Sequence, residues 1–60
     1  MSDVEIEVEV RHSTDSAILV YDGNVEVWVP RSQINDYSGE QDHPDIIFVS
    51  EWFATKAGLV

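Results

Sequence analysis

Residues 3–11 read DVEIEVEVR, and this stretch decides the fold class. Aliphatic and charged residues alternate through it without interruption, so one face of an extended chain would be aliphatic and the other ionised. Strict period-two alternation over this length is typical of a half-buried β-strand. The aliphatic positions are valine and isoleucine, whose β-branched side chains favour strands over helices. Residues 3–11 therefore predict a single strand with one face in the core.

A second and a third strand follow and are joined by a hairpin turn. Residues 17–21 (AILVY) are apolar on both faces, and residues 25–29 (VEVWV) alternate again. Asp22-Gly23 lies between the two runs. This pair favours a tight hairpin, because glycine adopts the positive φ that a type I′ turn requires.

The register of this hairpin stays open at the level of sequence. A two-residue loop pairs Tyr21 with Asn24, whereas a three-residue loop pairs Tyr21 with Val25. Both registers place Glu26 and Trp28 on the face opposite the valines of the third strand.

Turn residues dominate the next part of the chain. Pro30 ends the third strand, because proline has no N–H to donate to a sheet. Residues 31–34 predict a short turn. Residues 35–45 predict a loop by their content of Asn, Asp, Ser, Gly and Pro. This loop is long for so small a domain, which is typical of a mobile or functional segment.

The chain ends in a predicted strand and helix. Residues 46–49 (IIFV) predict a fourth strand that is apolar on both faces. Ser50 suits a helix N-cap, and Glu51 suits the positive end of the helix dipole. Lys56 suits the last turn, and Gly58 suits the C-cap.

These elements predict a mostly β (α+β) fold in one domain, residues 1–60. The chain of 60 residues has room for one domain only and holds no cysteine to reinforce it. We expect a curled antiparallel meander of about four strands, arranged as an SH3-like small barrel with a short C-terminal helix. The residues that we expect to be largely buried are Val8, Leu19, Val27, Phe48 and Trp52, and the burial of Leu19 depends on the register of the hairpin.

Charge limits the functions that the chain can have. Twelve Asp and Glu residues stand against three Lys and Arg residues, which gives a formal net charge of −9. Such a surface repels phosphate backbones, so we expect no direct binding of nucleic acid. It attracts basic protein surfaces instead. The sequence holds no catalytic or cofactor motif, so we expect no enzymatic activity, no cofactor and no metal site.

Acidic residues form the first candidate binding surface. The acidic positions of the first strand project from one side, and the acids of the long loop extend this row if the loop folds alongside. Together these positions are Asp3, Glu5, Glu7, Glu9, Asp36, Glu40, Asp42 and Asp45. The alternative is a solvated outer face whose charges only prevent unwanted pairing of an edge strand.

Trp28 marks a second candidate surface. It shares the outer side of its strand with Glu26, and with Tyr21 it could form an aromatic groove for a peptide, because tryptophan is enriched at binding hot spots. The interpretation that we favour from the sequence is that the helix bearing Trp52 and Phe53 covers Trp28.

Two segments resemble a known group of proteins. Residues 17–34 read AILVYDGNVEVWVPRSQI, and residues 51–59 read EWFATKAGL. They are similar to small phage and prophage proteins without an established activity, which share an AILV..DG..EVW.P[KR]SQI core and an EW.A.K.GL tail. The resemblance implies an accessory protein directed at a host or phage protein, or an assembly component of a phage nucleoprotein machine.

Location and association complete the expectations. Residues 1–5 lack the basic and apolar regions of a secretory signal. No apolar run is long enough to span a membrane. We therefore expect the protein in the cytoplasm of a bacterial host. A homodimer would cover the second apolar face of the sheet, but the net charge of each copy opposes association.

Overall fold

Strands make up most of the molecule, which confirms the predicted fold class. The computed structural model describes residues 3–59. The elements in chain order are β1 (Asp3–Glu7), β2 (Glu9–Ser13), β3 (Ala17–Tyr21), β4 (Glu26–Pro30), the 3₁₀ turn η1 (Arg31–Gln33), β5 (Ile34–Gly39), β6 (Pro44–Ser50) and α1 (Glu51–Ala57).

The strands form two antiparallel sheets of three strands each. The first sheet has the order β1-β6-β5 and the second has the order β2-β3-β4. β1 and β2 together are the single strand predicted over residues 3–11, so that prediction is wrong at Val8, where the chain passes from one sheet to the other. The N–H of Val8 donates to the carbonyl of Asp45 at 3.0 Å. This bent segment joins the sheets into a small, barrel-like fold.

The β3–β4 hairpin has neither of the predicted registers. Tyr21 pairs with Glu26, so residues 22–25 form a loop longer than a type I′ turn. The carboxylate of Asp22 accepts hydrogen bonds from the N–H groups of Val25 at 2.8 Å and Asn24 at 2.9 Å. These two bonds, that from Val25 foremost, lower the pKa of Asp22. The turn is thus closed both by the Asp22 carboxylate and by a backbone hydrogen bond from the N–H of Asp22 to the carbonyl of Val25 at 3.2 Å. Glu26 and Trp28 remain opposite the valines, as predicted.

The predicted loop 35–45 contains a strand. Residues 34–39 read INDYSG and pair with β6, with irregularities between Ile34 and Asp36 and between Ser38 and Gly39. No alternation marks this strand in the sequence. Without β5, the side of β6 away from β1 would have unpaired backbone N–H and C=O groups. Residues 34–39 satisfy these groups by pairing with β6. The fold therefore has six strands instead of about four, and only β2-β3-β4 is a simple meander.

The core lies between the two sheets and under the helix. The fully or nearly fully buried side chains are Ile6, Ile18, Val20, Val29, Ile47, Val49, Ala54 and Leu59. The five residues predicted to be buried are not among them. Val8 and Val27 are half-buried against this core, Leu19 and Phe48 are half-buried, and Trp52 is 65% exposed.

Two strands that are apolar on both faces explain the error at Leu19 and Phe48. β3 buries Ile18 and Val20 and turns Leu19 outward, and β6 buries Ile47 and Val49. Pairing register selects which face points inward, and composition does not reveal it when both faces are apolar.

Helix α1 begins and ends where the sequence predicts. The hydroxyl of Ser50 accepts a hydrogen bond from the N–H of Phe53 at 3.2 Å, and Gly58 adopts a left-handed conformation with φ of 82°. The helix packs against β6 and β1. Ala54 is its buried residue, and this small side chain lets the helix approach the sheets closely.

Candidate protein-binding surfaces

Four acidic side chains lie on the outer face of the first sheet. Glu5 pairs with Phe48, and Phe48 pairs with Asp36 on its other side, while Glu7 pairs with Ile46 and Asp3 with Ser50. Directly paired residues of an antiparallel sheet project from the same face. The surface called here the acidic face therefore consists of Asp3, Glu5, Glu7 and Asp36 around Phe48 and Ile46.

The carboxylates of the acidic face have no basic partner within residues 3–59. The ion pairs in this part of the chain join Arg11 to Glu9 at 3.1 Å and Arg31 to Asp42 at 2.9 Å. The amide of Asn35 donates to Asp3 at 2.9 Å, which fixes that carboxylate without neutralising it. The acidic face is therefore an exposed negative surface without a basic partner in the described part of the chain.

The predicted row of four acids is interrupted after Glu7. Glu9 belongs to β2 in the second sheet, and its carboxylate forms an ion pair with Arg11. The bend at Val8 separates Glu9 from Glu7, although the alternation of the sequence continues through the bend. The structure adds Asp36 to the row in its place, because β5 runs along the far side of β6.

The other acids of the predicted loop do not share one arrangement. Asp42 is held by Arg31, whose guanidinium also donates to the carbonyl of Thr14 at 2.9 Å. Its charge therefore serves to fasten the β5–β6 turn to the second sheet. Glu40 and Asp45 are exposed near the turn that joins β5 to β6. Asp45 directly precedes Ile46, which pairs with Glu7.

An open groove lies between β4, η1 and α1. Trp28 is 46% exposed and Trp52 is 65% exposed. Both line the groove, called here the aromatic groove, together with Val27, Pro30, Gln33, Phe53, Lys56 and Ala57. The interpretation that the helix covers Trp28 is wrong. The helix forms the opposite wall of the groove from Trp28 and leaves Trp52 exposed to solvent.

Contacts on the second sheet hold Trp28 but exclude Tyr21 from the groove. The ring of His12 meets the ring of Trp28 edge-on, with centroids 5.9 Å apart. The guanidinium of Arg11 covers Tyr21 at 4.7 Å from its ring centroid. The aromatic surface predicted around Tyr21 and Trp28 is therefore built from Trp28 and Trp52.

Comparisons with protein-family models, curated proteins and solved structures found no match for this chain. Within residues 3–59, no group of three His, Asp or Glu side chains is placed to hold a metal ion. None of the helices described is long and apolar enough to cross a membrane.

Proposed function

We propose that this protein is a non-enzymatic acidic binding module whose acidic face occupies a basic site on another protein. The observation that carries the proposal is the placement of Asp3, Glu5, Glu7 and Asp36 on one sheet face without a basic partner in the described part of the chain. Uncompensated charge on a fixed surface attracts oppositely charged surfaces and steers their encounter.

The spacing of the charges supports recognition of a regular basic groove. Alternate residues of an antiparallel strand lie roughly 6.8 Å apart, which is twice the rise per residue. Proteins that hold a phosphate backbone do so with rows of Lys and Arg. A row of carboxylates on a rigid strand is complementary to such a groove, so this module would act as an inhibitor or DNA mimic.

The centre of the acidic face supplies apolar contact. Phe48 and Ile46 are half-buried between the flanking carboxylates of β1 and β5. An apolar centre within a polar rim is the usual anatomy of a protein–protein interface. We therefore expect the charges to set the orientation and rate of binding, and the apolar centre to slow dissociation.

The setting of the proposal is the cytoplasm of a bacterial host. The resemblance of residues 17–34 and 51–59 to small phage and prophage proteins supports a host or phage protein as the partner. The absence of cysteine supports a reducing compartment.

A matched pair of variants tests the acidic face. Glu5→Gln, Glu7→Gln and Asp36→Asn together remove three charges from it and keep side-chain shape. Glu9→Gln, Asp15→Asn and Glu51→Gln remove three charges from exposed positions outside the first sheet. Partners are first captured from bacterial lysate at low salt, and the affinity of the purified partner is then measured across a salt series.

We expect the first variant to bind at least about tenfold more weakly, which corresponds to about 1.4 kcal/mol, and to show a shallower salt dependence. The control variant should bind like the wild type apart from a small uniform loss from reduced net charge. Equal binding by both variants would mean that the carboxylates serve only solubility and protection of the sheet edge.

A second candidate function is a peptide-binding adaptor that uses the aromatic groove. The exposure of Trp28 and Trp52 on facing walls of one groove favours it. Its test is the loss of partner binding on Trp52→Ala, a change at an exposed helix position that leaves the acidic face intact.

A further inference from the structure

The aromatic groove runs along the free edge of a β-strand. β4 is the outer strand of the second sheet, and in residues 3–59 it pairs only with β3. Successive side chains of a strand point to opposite faces. Val27 and Trp28 nevertheless both line the groove, so the groove must follow the edge of the strand where both faces are reached.

Hydrogen bonds at the two ends of β4 identify which backbone groups face this edge. The N–H of Asp22 donates to the carbonyl of Val25 at 3.2 Å, and the N–H of Arg31 donates to the carbonyl of Ser16 at 2.9 Å. Backbone groups of an antiparallel strand point alternately to either side. Val27 and Val29, which lie two and four residues after Val25, therefore direct their backbone groups toward β3.

The intervening residues of β4 point their backbone groups away from β3. Glu26 and Trp28 each present an N–H and a C=O at the free edge, and Pro30 presents only a C=O. This row ends at the proline, which has no donor to continue it. The free edge is therefore a short template for one extended segment.

We infer that the edge of β4 binds an extended segment of a partner protein, which joins the second sheet as an antiparallel strand and places an apolar side chain in the aromatic groove. Addition of a peptide strand to a free sheet edge is an established mode of recognition, in which the backbone gives affinity and alternate side chains give specificity. Antiparallel pairing is the more stable arrangement per residue.

The side chains beside this edge specify the segment. An apolar or aromatic residue paired with Trp28 would contact that ring, which His12 already holds in place. A Lys or Arg paired with Glu26 would meet an exposed carboxylate, and opposite charges on directly paired residues stabilise a sheet. In an antiparallel segment, the residue paired with Trp28 comes two positions before the residue paired with Glu26. The segment therefore has an apolar residue, any residue and then a basic residue.

Charge favours a basic segment over a second copy of this chain. Each copy carries a formal net charge of −9, so two copies repel each other while a basic segment is attracted. Lys56 lies on the helix wall of the groove, but its ammonium rests 4.9 Å from the centroid of the Trp52 ring. Glu26 is thus the charged group on the strand side of the site.

The inference is independent of the acidic face, which lies on the other sheet. The probe for its test is the acetylated and amidated hexapeptide TVWVKT, whose tryptophan would pair with Trp28 and whose lysine would pair with Glu26. Two N-methylated forms separate backbone pairing from simple apolar contact. Methylation at the tryptophan and lysine removes the N–H groups that face β4, whereas methylation at the two valines removes N–H groups that face solvent.

We expect the unmodified and valine-methylated peptides to bind, and the form methylated at tryptophan and lysine to bind at least about tenfold more weakly. Amide exchange of Glu26 and Trp28, followed by NMR, should slow on binding, while that of Val27, already bonded to β3, should change least. Glu26→Lys should weaken TVWVKT and strengthen TVWVET. The variant with Glu5, Glu7 and Asp36 neutralised should still take up the peptide.

Three results would overturn the inference. One is equal binding by the two N-methylated peptides, since side chains alone would then account for affinity. Another is the absence of slowed exchange at Glu26 and Trp28 in the presence of saturating peptide. The third is a dimer in sedimentation experiments that excludes the peptide, because a second copy would then be the occupant of this edge.

Discussion

Two valines on β4 show how much the loss of stability on a Val→Ala substitution depends on the burial of the side chain. Val29 and Val27 both belong to β4 and point to the same face, but Val29 is 0% exposed and Val27 is half-buried. Val29 pairs with Ile18, and Val27 pairs with Val20 nearer to the open groove. We therefore expect Val29→Ala to destabilise the protein more than Val27→Ala.

The burial of each side chain sets the expected magnitudes. Val→Ala removes the equivalent of two methyl groups, worth about 1.6 kcal/mol of transfer free energy when both are fully buried. At Val29 the cavity that remains raises the loss in unfolding free energy to about 2–3 kcal/mol. At Val27, where solvent already reaches the side chain, the loss should stay below about 1 kcal/mol.

The total stability of the domain makes this difference easy to measure. At about 0.05–0.15 kcal/mol per residue, a chain of 60 residues has an unfolding free energy of about 3–9 kcal/mol. For so small a domain, the unfolding free energy falls by about 1 kcal/mol per molar urea. Val29→Ala should then lower the midpoint by about 2–3 M, or unfold the chain in water, and Val27→Ala by less than about 1 M.

Circular dichroism in a urea titration provides the assay, with Leu19→Ala as a further half-buried comparison. Equal losses for Val27→Ala and Val29→Ala would contradict the placement of Val29 in the closed part of the core and of Val27 beside the open groove. A larger loss at Val27 would contradict the open groove beside it.

The remaining predictions concern the backbone. The depressed pKa of Asp22 stabilises the folded state above the carboxyl's unfolded value of about 3.9. This contribution is lost as the pH falls through the folded pKa, so the stability advantage of the wild type over Asp22→Asn should shrink as the pH falls below about 4 in thermal melts. Gly58→Ala should cost about 1 kcal/mol in urea titrations, because φ at this helix end is 82°. Ser50→Ala at the other end should cost a similar amount, about 1 kcal/mol.

The elements that could be predicted from the sequence are those with a local physical cause. Alternation over residues 3–11 and 25–29 identified strands, because a half-buried strand requires that pattern. Ser50 and Gly58 identified both ends of α1, because each satisfies backbone groups that the helix itself leaves free.

The features that could not be predicted depend on pairing between distant parts of the chain. β5 has the composition of a loop and is a strand only because β6 lies beside it. The bend at Val8 leaves the alternation of side chains intact, so nothing local marks the passage from one sheet to the other. Leu19 and Ile18 are equally apolar, and only the register with β4 decides which of them is buried.

The candidate surfaces follow the same division. Asp3, Glu5 and Glu7 could be placed on one face from their spacing alone. The addition of Asp36 required the pairing of β5 with β6. The aromatic groove required the orientation of α1, which turns Ala54 inward and Trp52 outward. A short helix with a small residue on one side and a large one on the other was the only hint of this orientation.

The pairing of β1 with β6 has a consequence for the synthesis of the protein. The strands β2, β3 and β4 are consecutive, so the second sheet has all of its residues once Pro30 has left the ribosome. The first sheet needs β6, which is made after the other five strands, as its central strand. Closing such distant pairs carries a larger loss of chain entropy than closing a hairpin. We therefore expect a nascent chain to carry the edge of β4 well before it carries the acidic face. Arrest of translation before residue 44 would leave β2, β3 and β4 without β6 and α1, so neither the acidic face nor the helix wall of the aromatic groove could form.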